Sequence, residues 1–358
     1  MTIDTIELYR YTLPLTEPLS LGEDRVSERQ GFLVHLTLGS GAEGWGDVAP
    51  LPGFSAETVD EAIADARRLR DGWEGQTITD GAPQAALRAL SVPDGGAASV
   101  RFGAESAVVE ALAEAQGVAP ARLLGAKRST VALNALVRAG DAETLLERGR
   151  QLRAEGYQAV KVKVGRAAVP VDVERVRALR RGLGEDVELR LDANRAWSFD
   201  EAVSFLSEVS EIPFAYIEEP VSDPERLPAL VDATGCPVAI DETTRERSVE
   251  VLNAWPVRAV ILKPTLLGGL QKTWDWESAA CQHGVRPVVS ASYESGVGTR
   301  MLAALAASLS DAPAGLSPYT RLAADVLTPR LSMDGPTVDL STFSRSTVRV
   351  ARLGSPLD

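Results

Sequence analysis

Residues 159–165 read AVKVKVG, and the run sets Val160, Val162 and Val164 against Lys161 and Lys163, with Gly165 at its end. Alternation of period two marks a strand with two unlike faces. Seven more runs of this kind lie at regular spacing along the chain. They are VALNALV (131–137), VELRLDA (187–193), FAYIEEP (214–220), PVAIDET (237–243), RAVILKP (258–264), RPVVSAS (286–292) and a weaker AGLSPYT (314–320). Helical segments separate them. VDVERVRALRRGL puts Val173, Val176, Leu179 and Leu183 on one face, and SFDEAVSFL opens with Ser198 and Glu201 at capping-box spacing. Eight strands at βα spacing predict a (β/α)8-type barrel. A doubly wound sheet is the alternative, but no phosphate-binding glycine turn follows the first strand.

The residues before this array have a different texture. TIELYRYTLPL, GFLVHLTLG and AEGWGDVAP read as three strands. GSGAEG, Gly39 to Gly44, fits a dinucleotide-binding spacing, but no helix follows it, so a hairpin turn is the better reading. PLPGFSAET leads into a helix with Val59, Ile63, Ala66 and Leu69 on one face. Residues 75–100 are loop-rich, FGAESAVVEALAEAQG is a helix capped by Gly117, and TVDLSTFSRSTVRVARL reads as extended chain returning to the N-terminal strands.

Composition narrows the function. A net charge of −13 disfavours nucleic acid and anionic membrane surfaces, and no apolar run approaches the ~20 residues of a membrane span. The N-terminus lacks the apolar core of a signal peptide, and Cys236 and Cys281 are too few and too far apart for a disulfide framework. A cytoplasmic location is the expectation. Of 37 lysines and arginines only five are lysines: Lys127, Lys161, Lys163, Lys263 and Lys272. Three of the five fall on apolar strand patterns, where lysine is seldom placed without a role.

Side chains alternate along a strand, so the valines of 159–165 face the helices and Lys161 and Lys163 face the barrel lumen. Active sites of such barrels lie at the C-terminal strand ends. There the same parity offers Arg190, Asp192 and Asn194, then Glu218, Asp241 and Lys263, then Ser290, Ser292 and Glu294. Three carboxylates from successive strands, with no histidine or cysteine near, suit one hard cation, Mg2+ or Mn2+. Glu219 and Glu242 stand beside them as supporting groups. The lysines flank this cluster on both sides. A cation and mutual repulsion are expected to lower a lysine toward ~7–8, fit for a general base. The plainer alternative is that the lysines only neutralise the carboxylates. Proton abstraction next to a carboxylate is the chemistry this set suits; a Schiff-base lysine would leave the carboxylates without a role. A serine triad lacks a placed histidine and a G-x-S-x-G elbow.

In the order KVKVG, LRLDANRAW, IEEP, IDET, ILKPTLLGG and SASYESGVG, the chain resembles the enolase superfamily, in which a lysine base works with Mg2+. Within it the resemblance is nearest to the o-succinylbenzoate synthases of menaquinone biosynthesis, and it extends to GWGDVAPLPGFSAET and ASVRFGAESAVVEAL. Relatives often carry Glu where this chain has Asp47.

The resemblance implies an α/β architecture: a modified TIM barrel, (β/α)7β, over residues 101–321. An N-terminal α+β capping domain would span residues 1–100, completed by a tail, 322–358. Loops at 18–28 and 50–56 would close over substrate. It implies a hydro-lyase that removes water, syn, from 2-succinyl-6-hydroxy-2,4-cyclohexadiene-1-carboxylate. Lys163 would be the acid/base and Lys263 would face the other side of the ring with a cation–π contact, with Lys161 assisting. Asp192, Glu218 and Asp241 would hold Mg2+, and Arg190, Asn194, Ser290 and the backbone at Gly315 would line the substrate site. The expected partner is a small-molecule carboxylate, bound by a monomer or homo-oligomer. The competing activity is racemisation of N-succinylamino acids or epimerisation of dipeptides, which also uses two opposed lysines. A non-catalytic binding barrel is the reading from another class, and it would tolerate loss of Lys163.

Overall fold

The computed structural model describes residues 1–21, 24–90, 96–138, 140–350 and 353–357. The chain begins with β1 (Ile3–Leu21), β2 (Asp24–Leu38) and β3 (Glu43–Val48), which pair antiparallel in that order. The turn between β2 and β3 is a hairpin: Gly41 has φ +87 and its N–H donates to Leu38 O, so Gly39–Gly44 is not a nucleotide loop. Helices α1 (Val59–Trp73), α2 (Pro83–Ala89), α3 (Ala98–Ala115) and α4 (Pro120–Leu123) follow. The stretch 75–100, read as loop, thus contains the helix α2. Helix α3 lies directly on β3. A Cβ at Gly46 would stand 1.7 Å from Gly103 O, and one at Gly44 2.0 Å from Ala107 O. The two glycines of EGWGD are therefore required by backbone-to-backbone packing.

The expected loop at 18–28 is instead the outer arm of the β1–β2 hairpin. Leu19 pairs with Val26 and Ser20 with Arg25, beyond a register shift between Pro14 and Leu19. Pro18 has no N–H to give the ladder there, and pairing resumes after it. Residues 22 and 23 of that stretch lie outside the described residues.

The run 131–137 is not one strand but two. β4 (Thr130–Ala132) and β5 (Asn134–Val137) part at Leu133, whose N–H donates to Pro336 O. Then come α5 (Ala142–Ala154), β6 (Ala159–Lys163), α6 (Val169–Leu183), β7 (Glu188–Asp192), α7 (Phe199–Glu208), β8 (Tyr216–Glu218) and α8 (Leu227–Thr234). They are followed by β9 (Val238–Ile240), α9 (Thr243–Glu246), β10 (Val257–Leu262), α10 (Pro264–Leu267), α11 (Gly269–Gln282), β11 (Arg286–Val289) and α12 (Gly296–Leu309). The capping box of Ser198 and Glu201 is present at the start of α7. Strands β5 to β11 form one parallel sheet in sequence order. The sheet closes through two residues: Ala314 bridges Leu133 and Gly315 bridges Ser290. The eighth strand is thus reduced to a seam, with Pro318 close behind to stop pairing.

Outward side chains of these strands, including Val160, Val162, Leu189, Leu191, Ile217, Val260 and Leu262, pack with Val173, Val176, Leu179, Phe205 and Leu230 of the helices. Full burial of one such side chain is worth about 1.5–3 kcal/mol. This layer fixes the parity of every strand, and so points the lysines and carboxylates inward. The lumen below them is filled by Tyr216, Ala239, Ala259, Ile261 and Val288.

The C-terminal segment holds β12 (Leu327–Thr328), β13 (Thr337–Asp339) and β14 (Thr347–Val348). β13 pairs with β4, and the chain then returns to β1, where Leu357 N donates to Leu8 O at 2.8 Å. A buried polar joint ties the N-terminal sheet to the barrel. Arg29 donates to Pro50 O and Ala49 O at 2.9 Å each and to Tyr293 O at 3.3 Å, while Asp47 accepts from Tyr11 Oη and Ser295 N at 2.7 Å each. The 50–56 segment is a turn bonded to itself through Leu51 and Ser55, and Arg245 of α9 donates to Phe54 O. Among the described residues no helix is long and apolar enough to cross a membrane.

Candidate active site

Register sets the geometry of the site. Lys161 lies opposite Arg190, Lys163 opposite Asp192, and Asp192 opposite Glu218. Neighbours in a parallel ladder point to the same face, so these side chains form rows across the lumen. Asp241 follows directly after β9 and Lys263 directly after β10, both on the inward parity. Asp192, Glu218 and Asp241 are fully buried.

The lysines and carboxylates meet. Lys163 Nζ donates to Asp192 Oδ2 at 2.6 Å and also to Asn194 Oδ1. Lys161 Nζ sits between Asp192 Oδ2, at 3.0 Å, and Glu218 Oε2, at 3.1 Å. Lys263 Nζ donates to Asp241 Oδ2. Burial works to lower Lys161, but Asp192, Glu218 and Asp241 outweigh it and hold its ammonium well above the usual lysine value. Lys263 is likewise raised, burial being overcome by Asp241 and Glu218. Among the protein groups alone, contact with carboxylates thus outweighs burial and lysine–lysine repulsion at these two lysines. Burial raises Asp192 and Asp241, yet the lysines more than offset it and leave both below the ordinary value. Glu218 differs: burial and the charge of Asp192 push it up to about 8.

Glu219 and Glu242 stand at the rim beside Glu218 and Asp241. Glu219 Oε1 accepts from Asp241 N at 2.9 Å and Thr243 N at 2.8 Å, and its Oε2 accepts from Arg195 Nε at 3.0 Å. Glu242 Oε1 accepts from Asn194 Nδ2 at 3.3 Å, its Oε2 is buried without a partner, and burial and Asp241 push it up to about 7. Asn194, Arg195, Glu219 and Tyr293 all have φ between +40 and +65. Left-handed backbone at non-glycine residues is costly and gathers at sites whose surroundings over-determine it.

The other expected substrate contacts lie nearer the seam and floor. Arg190 is enclosed: Nε donates to Glu188 Oε1 at 2.6 Å and Nη1 to Pro313 O at 2.8 Å and Asn134 Oδ1 at 3.3 Å, leaving Nη2 without a partner. Ser290 Oγ lies 3.4 Å from Gly315 O. Gly315 N is committed to Val289 O, and a Cβ at Gly315 would meet Ser290 Oγ at 2.6 Å.

The donor set around Glu218 fits a hard divalent cation. All donors are oxygens, and three buried carboxylates stand on adjacent strands at one level of the lumen. Among the described residues no three acidic, histidine or cysteine side chains are grouped around a single point, since each of these carboxylates is turned onto a lysine.

Comparison with known proteins now bears on this geometry. The family described as "Enolase C-terminal domain-like" matches residues 144–343, and "MenC, N-terminal domain" matches residues 3–111. The o-succinylbenzoate synthase of Edwardsiella ictaluri is 35% identical over 324 residues, covering 89% of this chain and 92% of its own.

The chain belongs to the o-succinylbenzoate synthases of the enolase superfamily.

Among solved structures, the L-Ala-D/L-Glu epimerase of Bacillus subtilis superposes with TM-score 0.84 at 24% identity over all of both chains. A dipeptide epimerase of Enterococcus faecalis, solved with Mg and a dipeptide, gives 0.84 at 19% identity, covering 95% of this chain and 97% of its own. These two share the fold with the synthases.

Several residues around this cluster escaped sequence reading. Asn134 and Arg138 lie on the inward parity of the VALNALV run, which was their only signal. Arg138 Nη2 donates to Tyr293 Oη at 3.0 Å. Arg29 reaches the rim from the N-terminal sheet, and nothing in its local sequence marks it. Ser292, which the strand parity did mark, is 2% exposed with its Oγ unpartnered.

Proposed function

We propose that this chain removes water, syn, from 2-succinyl-6-hydroxy-2,4-cyclohexadiene-1-carboxylate to give o-succinylbenzoate, as a cytoplasmic Mg2+-dependent hydro-lyase of menaquinone biosynthesis. The observation that carries the reading is the flanking of three buried carboxylates by Lys161 and Lys163 on one side and Lys263 on the other, in a chain similar along most of its length to curated o-succinylbenzoate synthases.

Asp192, Glu218 and Asp241 would hold the cation, which supplies positive charge to the oxygens of the substrate carboxylate as its α-carbon loses a proton. Lys163 is the proton carrier. Its side chain is 24% exposed, against 13% for Lys161 and 17% for Lys263, so it is the lysine best able to exchange a proton with solvent. Its neutral amine takes the proton beside the ring carboxylate. The resulting ammonium gives that proton to the departing hydroxyl on the same face, so the net loss is one water and the elimination is syn. Lys263, held protonated by Asp241 and Glu218, stabilises the negative charge from the opposite face. Lys161 stays an ammonium between Asp192 and Glu218 and holds them in place. Arg190 Nη2, Asn194 and Ser290, with the seam at Gly315, are polar groups that would help orient the ring.

Racemisation of N-succinylamino acids uses the same opposed lysines and is the competing activity. One preparation assayed on both substrates decides between them. The account expects dehydration to exceed racemisation in kcat/KM; the reverse order would overturn it.

A further inference from the structure

The cyclohexadiene substrate and its product each carry two carboxylates. One adjoins the reacting carbon and belongs with the lysines and acids described above. The other ends the succinyl chain, several bonds away, and needs a separate cation. Lys161, Lys163 and Lys263 already face carboxylates, and Arg190 Nε is spent on Glu188.

Arg138 is placed differently. It directly follows β5 on the parity of Asn134 and Leu136, the inward one. Leu136 lies opposite Lys161 and Val137 opposite Val162, so Arg138 stands level with Lys163 on the adjoining strand. Adjacent strands are about 4.8 Å apart, well within the reach of an arginine side chain. Arg138 is exposed, and among the described residues no carboxylate pairs with it. Among the described residues its guanidinium donates across the barrel seam to Tyr293 Oη, at 3.0 Å. Tyr293 is itself held: its backbone is left-handed at φ +65, and its carbonyl accepts from the buried Arg29. The hydroxyl positions the guanidinium without occupying it as a carboxylate would.

We infer that Arg138, steadied by the Tyr293 hydroxyl, binds the terminal carboxylate of the succinyl chain and so selects substrates that carry one. The inference rests on the dehydratase reading above. A guanidinium–carboxylate contact of this kind is strong and directional.

The test is binding of two probes, o-succinylbenzoate and 2-butyrylbenzoate, by calorimetry in the presence of Mg2+. The second probe keeps the ring carboxylate, the ketone and the chain length, with a methyl in place of the terminal carboxylate. Wild type should prefer o-succinylbenzoate on the order of 10–100-fold. Arg138→Gln should bring that preference close to one while leaving 2-butyrylbenzoate affinity unchanged. Arg138→Lys should recover part of it, and Tyr293→Phe should lose only a fraction. If Arg138→Gln keeps the wild-type preference, or weakens both probes equally as a mere clasp across the seam would, the assignment is wrong while the dehydratase reading stands. A wild-type protein that does not bind o-succinylbenzoate overturns that reading and this assignment together.

Discussion

Replacing Glu219 by glutamine should weaken both the fold and the cation site, by amounts the local geometry fixes. Glu219 is fully buried and uses both oxygens, one on the amides of Asp241 and Thr243 and one on Arg195. Glutamine has the same shape but only one acceptor oxygen. With that oxygen on the two amides, its NH2 faces the N–H of Arg195, donor against donor, and a charge-assisted bond is lost. The reverse orientation leaves two buried amides facing a donor, which is worse. The first arrangement governs and costs about 2–3 kcal/mol. Arg195 keeps its pair with Glu246, which limits the damage. Asp241 keeps its backbone bond in that arrangement, but the acceptor is now a neutral amide oxygen in place of a carboxylate, so its anchor is weaker. Groups that orient metal ligands typically matter by about 10–100-fold in metal affinity or activity. Urea unfolding gives the first quantity and the Mg2+ dependence of turnover the second. A stability loss with unchanged Mg2+ half-saturation would refute the claim that Glu219 orients Asp241.

Asp47 offers a pH-dependent test. Burial raises it from 3.8 to about 6, against hydrogen bonds from Tyr11 and Ser295 that favour the charge. A raised carboxylate stabilises the fold most below its unfolded value, and that contribution disappears as pH rises through 4 to 6, worth roughly 3 kcal/mol in all. Wild-type stability relative to Asp47→Asn should therefore fall by that order across this window, as read from urea midpoints; a flat difference would show that Asp47 does not titrate in it. Chelation by EDTA should stop dehydration, and Mg2+ or Mn2+ should restore it, since every donor is an oxygen; full activity in EDTA would remove the cation from the account.

What could be read from the sequence was governed by parity. The alternation of valine and lysine at 160–164 placed Lys161 and Lys163 in the lumen, and the same count placed Asp192, Glu218, Asp241 and Lys263. Long-range pairing was not legible. Nothing in VALNALV says that β13 captures its first half, and nothing in AGLSPYT says that only Ala314 and Gly315 pair. The pairing of Lys161 with Glu218 and of Lys263 with Asp241 depends on ångström-scale contacts that strand order alone does not supply. Arg138 gained meaning only from Tyr293, a residue 155 positions away.

The central claim is that Lys163 carries the proton while Lys263 works from the opposite face. Turnover of purified Lys163→Ala on 2-succinyl-6-hydroxy-2,4-cyclohexadiene-1-carboxylate tests it directly. Loss of a general acid/base contributes about 10²–10⁴-fold, so kcat should drop by at least that range while urea unfolding stays close to wild type. Turnover near the wild-type rate in this variant would contradict the account.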